Sequence, residues 1–407
     1  MSSASSTALY LWNALGVPST RIPIDSTTFI SHVLPPVVFY FASAVLAVTP
    51  QTHAVRVALW PVIALLALRT VLSVDMSCGK PEYSVLDALF TLHMLCAATR
   101  SLGWTLAKGP FVRHLRPRNS SPSTILDALD LVSSYRGHEW ELSSRLYIPR
   151  ETRPANRMAF ALYAFASAVA HAFIHGVLDR AAMTMLRVGV GEIRGSTLFD
   201  ETLPLWLRYL RACIISILTA IGTYSYVQVV YDLCTVLGII FLDQDPAQWP
   251  PAFDSPWRAT SLSDFWGRRW HQFFRQVFLL LGGYPLSLVL GFSGIVIGAF
   301  LASVLLHDIF LLTLNGHGEF WRMFVGFGMM APGILVERAF HQLTGRRVGG
   351  VVGWVWTMAW LLVWGNVIFE GFARVPIDRS TLIDDITLVR TLVERLVTSF
   401  DNWLHTI

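Results

Sequence analysis

The strongest candidate for chemistry in this sequence is a histidine inside an apolar run. His307 lies within residues 300–310, where Asp308 is the only charged residue. An ionisable residue in an apolar membrane helix is costly and usually faces a cavity or a partner. Because histidine titrates near neutral pH, His307 is a candidate general base. The alternative is a histidine that makes one hydrogen bond to a neighbouring helix, and its position alone favours neither interpretation.

The second candidate is a basic and aromatic stretch about 40 residues upstream. It interleaves Arg268, Arg269 and Arg275 with Trp266 and Trp270. Arginine binds phosphates bidentately and stacks on flat rings, so the pattern suits a phosphate-bearing ligand such as coenzyme A. A helix that lies on the membrane surface has the same composition. Taken by itself, the stretch favours this second interpretation.

The composition identifies the class of protein that must position these residues. The chain has 407 residues, of which 54% are hydrophobic and 14% are charged, and its mean hydropathy is +0.51. Soluble domains carry about 25% charged residues, so this chain has too little charge to coat a globular surface. We therefore expect an all-α, polytopic integral membrane helix bundle in the lipid bilayer. The small net charge of +4, with basic residues in loops, favours anionic ligands over nucleic acid.

Apolar runs predict about eight or nine transmembrane helices. Residues 212–242 are too long for one untilted span, so we expect a bent helix or two short ones around Gly222 or Asp232. Residues 286–314 form one predicted span, with glycines that permit close helix packing. Residues 323–336 form a short predicted span that is broken by Pro332.

The polar stretches predict the domain organisation. We expect a polar N-terminal segment over residues 1–29 and a single membrane domain over residues 30–407. Residues 103–157 carry nine Lys and Arg against five acids, which predicts a cytosolic loop by the positive-inside rule. A second cytosolic loop is predicted at about residues 243–275. The four cysteines are scattered, which does not favour a disulfide framework.

The two candidate sites together resemble a known family. Phe-Trp-Gly-Arg-Arg-Trp-His, ending at His271, is followed by Ser-Val-Leu-Leu-His-Asp, in which His307 comes 36 positions after His271. Their order and separation are similar to the two signature motifs of the wax synthase-like membrane-bound O-acyltransferases (MBOAT-related). Arg136-Gly137, with Trp140 close behind, resembles a weaker upstream feature of that family.

This resemblance implies an enzyme, an acyl-CoA-dependent O-acyltransferase in the endoplasmic reticulum membrane. His307 would be the base that deprotonates the acceptor hydroxyl for direct attack on the thioester. His271 would orient or polarise the reacting groups, in a place where plant-like members have asparagine. Asp308 for glutamate and Val304 for glycine are further departures. Because position 271 is itself titratable, which of the two histidines is the base stays open.

The resemblance also implies the ligands. Acyl-CoA, preferably acetyl-CoA, would be the co-substrate, with no permanently bound cofactor and no metal. The partner would be a lipophilic alcohol. Fungal members with a Trp-His-Gln version resemble this chain more closely than plant-like members do, and many of them acetylate terpenoid-type secondary metabolites. A long-chain donor with a fatty alcohol or sterol is the alternative. The residues expected to bind the co-substrate are Trp266, Arg268, Arg269, Trp270, Arg275 and Arg136.

Three other interpretations have weaker support. His171, His175 and Asp179 share one helical face and could be metal ligands, but the further His-rich boxes of membrane di-iron oxygenases are missing. Asp243 and Asp245 could bind a Mg-diphosphate, but a loop acidic pair is favoured. A terpene cyclase or a transporter is the competing class, and the chain shows no paired half-chain similarity of the kind typical of transporters. The sequence predicts no oligomeric state.

Overall fold

The computed structural model describes residues 18, 20–114, 122–141, 146–376, 381 and 383–407, with only the backbone of residue 315. The predicted N-terminal segment 1–29 therefore lies largely outside the described residues. The described part is mostly helical, with almost no strands. Its one sheet is a short parallel pair, β1 and β2, with Ile22 opposite Val74. These strands are β1 (Ile22–Pro23) and β2 (Val74–Asp75).

Eleven longer helices and several short turns make up this part of the chain. The helices are α1 (Leu34–Val48), α2 (His53–Ser73), α3 (Ser84–Leu106), α4 (Thr124–Ser133), α5 (Arg157–Met185), α6 (Leu205–Phe241), α7 (Tyr284–Asn315), α8 (Phe320–Gly328), α9 (Met330–Thr344), α10 (Gly350–Arg374) and α11 (Thr387–Leu404).

Eight helical segments in the described part are long and apolar enough to cross a membrane. This number lies within the predicted range, and the all-α polytopic membrane fold is confirmed. The segments are Ser26–Val48, His53–Ser73, Pro81–Leu106, Arg157–Met185, Leu205–Phe241, Arg275–Leu314, Phe320–Thr344 and Gly350–Arg374.

The chain divides into two compact units. Unit 1 comprises residues 1–146, 273–302 and 309–317, and unit 2 comprises residues 147–272, 303–308 and 318–407. Both units contain candidate spans. The single membrane domain expected over residues 30–407 stays a prediction.

In unit 1, a buried arginine joins the start of α2 to the end of α3. The Arg56 guanidinium is almost fully buried and donates to the carbonyl oxygens of Trp104 at 2.6 Å and Ala107 at 3.0 Å. These are carbonyls at a helix C-terminus, which lack intrahelical partners and attract positive charge. The contact fixes the antiparallel pairing of the two helices.

The predicted loop 103–157 contains a helix that the sequence reading missed. Ser123 caps α4 with its side chain. Arg113 donates to Asp130 of α4 at 2.6 Å and to Glu139 at 2.8 Å. Burial, a hydrogen bond with Asp130 and that neighbour's negative charge raise the pKa of Glu139 to about 9. Burial thus disfavours the charged form of Glu139, and Arg113 holds both carboxyl groups.

Residues 275–302 of unit 1 differ from the single predicted span. The chain adopts a left-handed, non-helical conformation at Gly291, with φ 55° and ψ −135°. Gly282 and Gly298 then lie so close that a Cβ on either would overlap the carbonyl oxygen of the other. The segment is a helical hairpin whose arms meet at glycines. The predicted span 286–314 is therefore interrupted at Gly291, which the sequence did not predict because hydropathy does not detect a reversal between two apolar arms.

In unit 2, α5 and α6 form the longest antiparallel pair. The 37 residues of α6 are one helix, about 55 Å long at 1.5 Å per residue. The alternative of two short helices around Gly222 or Asp232 is therefore wrong. The first turns of α6 extend into a packed cluster, where Leu207 is buried and Arg211 pairs with Asp401 of α11 at 2.6 Å. The helix is longer than the roughly 20 residues that one bilayer crossing needs, and its first turns pack against this cluster.

The helices α8 and α9 replace the short predicted span 323–336. Their junction is at Met329, and Pro332 lies in the first turn of α9. A proline is tolerated there because the first turn needs no intrahelical N–H donor. Pro332 therefore does not interrupt α9, and the break precedes it.

Candidate functional site

The motif segment 261–272 lies in unit 2 and begins with a capped turn. The Ser261 hydroxyl accepts from the backbone N–H of Asp264 at 3.0 Å, which starts the short helix Leu262–Asp264. A π-helical turn, Phe265–Arg269, follows. Such wide turns are frequent at functional sites because they redirect the side chains that follow.

The two adjacent arginines of this segment have different surroundings. Arg269 donates through Nε to Asp264 at 2.5 Å and through Nη1 to the carbonyl oxygen of Asp254 at 3.0 Å. Arg268 is exposed and lies over the Tyr147 ring, with 5.6 Å between its guanidinium carbon and the ring centre. Arg269 thus closes the local fold, and Arg268 is the arginine that faces outward.

Tyr147 and Asp254 complete the surroundings of Arg268. The Tyr147 hydroxyl donates to the Asp254 carboxylate at 2.9 Å. This hydrogen bond raises the pKa of Tyr147, with smaller contributions from burial and from the charge of Asp254. Tyr147 therefore stays neutral over the physiological range and presents a flat ring to Arg268.

The motif aromatics converge on His271. The Trp270 ring lies 5.5 Å from the His271 ring, and the Phe253 ring approaches its face edge-on at 5.7 Å. Phe265 stacks on Trp270 at 5.5 Å, and Trp266 lies 6.3 Å from Trp270. The structure thus brings Trp266, Trp270 and His271 together.

A buried glutamine closes the turn that carries His271. Gln272 donates through Nε2 to the carbonyl oxygens of Trp266 at 2.9 Å and Trp270 at 2.7 Å. The Trp270 N–H donates in turn to the Phe265 carbonyl at 2.9 Å. The segment from Phe265 to Gln272 is therefore a closed, hydrogen-bonded unit.

His307 lies on α7, within unit 2. Its Nδ1 is 2.8 Å from the Ser303 carbonyl oxygen, and its ring stacks on Phe327 at 4.1 Å. A carbonyl oxygen can only accept, so Nδ1 carries the proton in the neutral ring. The lone pair is then on Nε2. The hydrogen bond within the helix and the Phe327 ring together fix the tautomer and orientation that a general base requires.

Asp308 occupies the position that follows this histidine. Its carboxylate lies against Gly318, where an added Cβ would be 2.9 Å from Oδ1. The residues at 307 and 308 thus have different neighbours, as expected from the turn of about 100° between successive helical residues.

The predicted co-substrate residues divide between the two units. Trp266, Arg268, Arg269 and Trp270 belong to unit 2, whereas Arg136 and Arg275 belong to unit 1. Arg136 is buried, with its guanidinium 5.0 Å from the centre of the Phe273 ring. Arg275 is the first residue of the short helix Arg275–Phe278.

The weaker candidates have ordinary partners. His171 is 3.3 Å from the Ser225 hydroxyl, and His175 is 3.1 Å from the Gly222 carbonyl, so both connect α5 to α6. No group of three metal-ligating side chains occurs in the part of the chain that the structure describes. Asp245 caps a short turn, which is the loop role that the sequence favoured.

One site residue was missed by the sequence reading. Glu337, on α9, accepts hydrogen bonds from the start of the motif segment at Leu262 and Ser263. An acid at the end of an apolar run was the available signal. Its partners are 74 and 75 positions away in sequence, so spacing alone could not identify them.

Comparisons with known proteins bear on this region. Residues 249–328 match the sequence profile of the "Membrane bound O-acyl transferase family", and this span contains both motifs. The chain is 26% identical over 164 residues to a long-chain-alcohol O-fatty-acyltransferase of Simmondsia chinensis, covering 38% of this chain and 46% of that protein. It therefore spans less than half of that relative.

Two fungal relatives are also similar. Acetyltransferase sirH of Emericella nidulans is 23% identical over 305 residues, covering 68% of this chain and 69% of the relative. Acetyltransferase aurG of Calcarisporium arbuscula is 31% identical over 156 residues, covering 35% and 37%. The predicted resemblance to this family is confirmed, and the relatives named here are acyltransferases. The region that carries His271 and His307 thus matches the sequence profile of the membrane bound O-acyl transferase family.

Proposed function

We propose that this chain transfers an acyl group from acyl-CoA to a hydroxyl of a hydrophobic acceptor. One observation supports this most strongly. Within the family segment, Nδ1 of His307 is bonded to the Ser303 carbonyl, which makes Nε2 the basic nitrogen of the neutral ring. A fixed tautomer with a lone pair inside an apolar span is what proton abstraction from a lipophilic alcohol needs.

The chemistry follows from that tautomer. Nε2 of His307 takes the hydroxyl proton while the alcohol oxygen attacks the thioester carbonyl carbon. The carbon–sulfur bond then breaks, and the thiolate takes the proton from the imidazolium. The products are an ester and free CoA, with no covalent enzyme intermediate. An apolar surrounding spares the thioester from hydrolysis.

His271 would hold the thioester carbonyl or the acceptor hydroxyl. Its ring lies between Trp270 and Phe253, and its backbone belongs to the segment that Gln272 closes. Such a preorganised hydrogen-bonding group can stabilise charge that develops on the carbonyl oxygen.

The CoA part would be bound by the basic and aromatic residues. Among the motif arginines, exposure favours Arg268 for a phosphate, whereas Arg269 is engaged with Asp264. Arg136, Arg275, Trp266 and Trp270 complete the set that we propose for the co-substrate. We place the reaction in the endoplasmic reticulum membrane.

For the substrates we propose acetyl-CoA and a polycyclic, terpenoid-like alcohol. The acetyltransferase names of the sirH and aurG relatives support a small acyl group. The second candidate is a long-chain donor with a fatty alcohol, which the name of the Simmondsia chinensis relative supports.

Substitution of the two histidines tests the mechanism. In membranes with matched amounts of protein, we expect His307→Ala to lower kcat about 10²–10⁴-fold, the usual contribution of a general base. We expect His271→Ala to lower it less, with the KM for acyl-CoA within about threefold. His341→Ala, at an exposed position on α9, is the matched control and should retain activity. If His271→Ala abolishes transfer and His307→Ala only slows it, the two roles must be exchanged.

A further inference from the structure

A buried carboxylate on α9 contacts the start of the motif segment. Glu337 is 6% exposed. Its Oε1 accepts from the Leu262 N–H at 2.6 Å and from the Trp356 indole at 3.0 Å. Its Oε2 accepts from the Ser263 N–H at 3.0 Å and from the Ser263 hydroxyl at 2.8 Å. Each oxygen thus has two donors, which is how a desolvated carboxylate is retained inside a protein.

Two glycines, one on α9 and one on α10, let these helices pack directly against the start of the motif segment. A Cβ at Gly333 would overlap the Leu262 side chain, and a Cβ at Gly353 would overlap the Thr260 carbonyl oxygen. Glycine at both positions lets the two helices approach residues 260–262 directly. Glu337, Gly333 and Gly353 therefore form one contact surface for the start of the motif.

Displacement at Leu262 would be carried on to His271. The Asp264 N–H is bonded to the Ser261 hydroxyl, and the Asp264 carboxylate is paired with Arg269 at 2.5 Å. Arg269 and Asp254 exchange backbone and side-chain hydrogen bonds at 3.0 Å. Gln272 closes the last turn, so hydrogen bonds and one ion pair connect the segment from Ser261 to Gln272 along its length.

We propose that Glu337 is a positioning residue of the reaction: its carboxylate fixes the place of the segment that carries His271. The proposal rests on the proposed acyl transfer. Glu337 touches no reacting atom, so its loss acts on kcat through the position of His271. The KM for acyl-CoA should change little.

Glu337→Gln is the direct test. An amide keeps the size of the side chain but replaces one oxygen by an NH₂ group, which in either orientation then faces at least one N–H donor. We expect kcat to fall at least 10-fold and the KM for acyl-CoA to change less than about threefold. Hydrogen exchange of the peptide that contains the Leu262 and Ser263 amides should rise at least 10-fold in detergent-solubilised protein. Peptides of α5 and α6 should be unchanged.

Two further variants separate the outcomes. Trp356→Phe removes one of the four donors and should give a smaller change in the same direction, even if Glu337→Gln lowers folded protein everywhere. Glu82→Gln, which removes an exposed acid, should change neither exchange nor kcat. Unchanged exchange and kcat in Glu337→Gln would overturn the proposal, as would a loss confined to KM. Faster local exchange in a protein whose wild type transfers no acyl group would instead overturn the proposed function.

Discussion

At the scale of single residues, two neighbouring arginines illustrate how chemistry and folding divide within one motif. Arg269 pairs with Asp264 and with a backbone carbonyl, and it is half-buried. Arg268 is exposed over the Tyr147 ring. The same side-chain type thus has a structural role in one position and is available to a ligand in the next.

This difference predicts that the same substitution affects substrate binding at one position and stability at the other. Arg268→Gln should raise the KM for acyl-CoA about 10-fold and leave the thermal midpoint unchanged, since a charged hydrogen bond to phosphate contributes about 1.5–3 kcal/mol. Arg269→Gln should lower the thermal midpoint and the yield of folded protein, because it breaks a partly buried ion pair. Kinetics with acyl-CoA and thermal unfolding in detergent measure the two effects. An Arg268 variant with unchanged KM would remove Arg268 from the co-substrate site.

The sequence could reveal residues that are unusual where they stand. His307 is ionisable within an apolar run, and the motif around His271 is dense in aromatic and basic residues. Both histidines could therefore be selected as candidates from the sequence. Glu337 was missed because its role depends on donors that the chain brings together only on folding. The fixed tautomer of His307 likewise depends on geometry at Ser303 and Phe327.

At the scale of elements, the helical hairpin of residues 275–302 shows the limit of hydropathy. Its two arms are both apolar, so the sequence reads as one span, although the chain reverses at Gly291. Gly298 belongs to the glycines that were expected to permit close packing between helices, and the structure places it against Gly282. The composition of these residues predicted apolar helix, but it did not predict the reversal at Gly291.

Gly298→Val should prevent this hairpin from closing. The new side chain would overlap the Gly282 carbonyl oxygen and the backbone next to it, and backbone cannot move aside as a flexible side chain can. We expect most folded protein to be lost, as measured by size-exclusion chromatography in detergent. Gly109→Val is the control, because a Cβ at Gly109 meets no atom within 4 Å. Equal yields of the two variants would contradict the close packing of the arms.

At the scale of the whole molecule, composition alone determined the class. A chain with 14% charged residues, whose described part has eight helical segments suited to a bilayer, is a polytopic membrane protein. For the proposed acyl transfer, apolar surroundings would let a lipophilic acceptor reach the site without crossing water. The same apolar surroundings would protect the thioester. Residue types do not encode the acyl chain length, and our proposal for it rests on the names of the relatives.

The most direct test of the account is transfer by membranes that contain this chain. Labelled acetyl-CoA and palmitoyl-CoA are supplied in parallel, each with a panel of lipophilic alcohols including terpenoid alcohols, a sterol and fatty alcohols. The His307→Ala protein serves as the inactive control. We predict that acetyl ester forms from acetyl-CoA and that palmitoyl ester does not. Transfer from palmitoyl-CoA would indicate the long-chain alternative, and transfer from neither donor by verified protein would contradict acyl transfer itself.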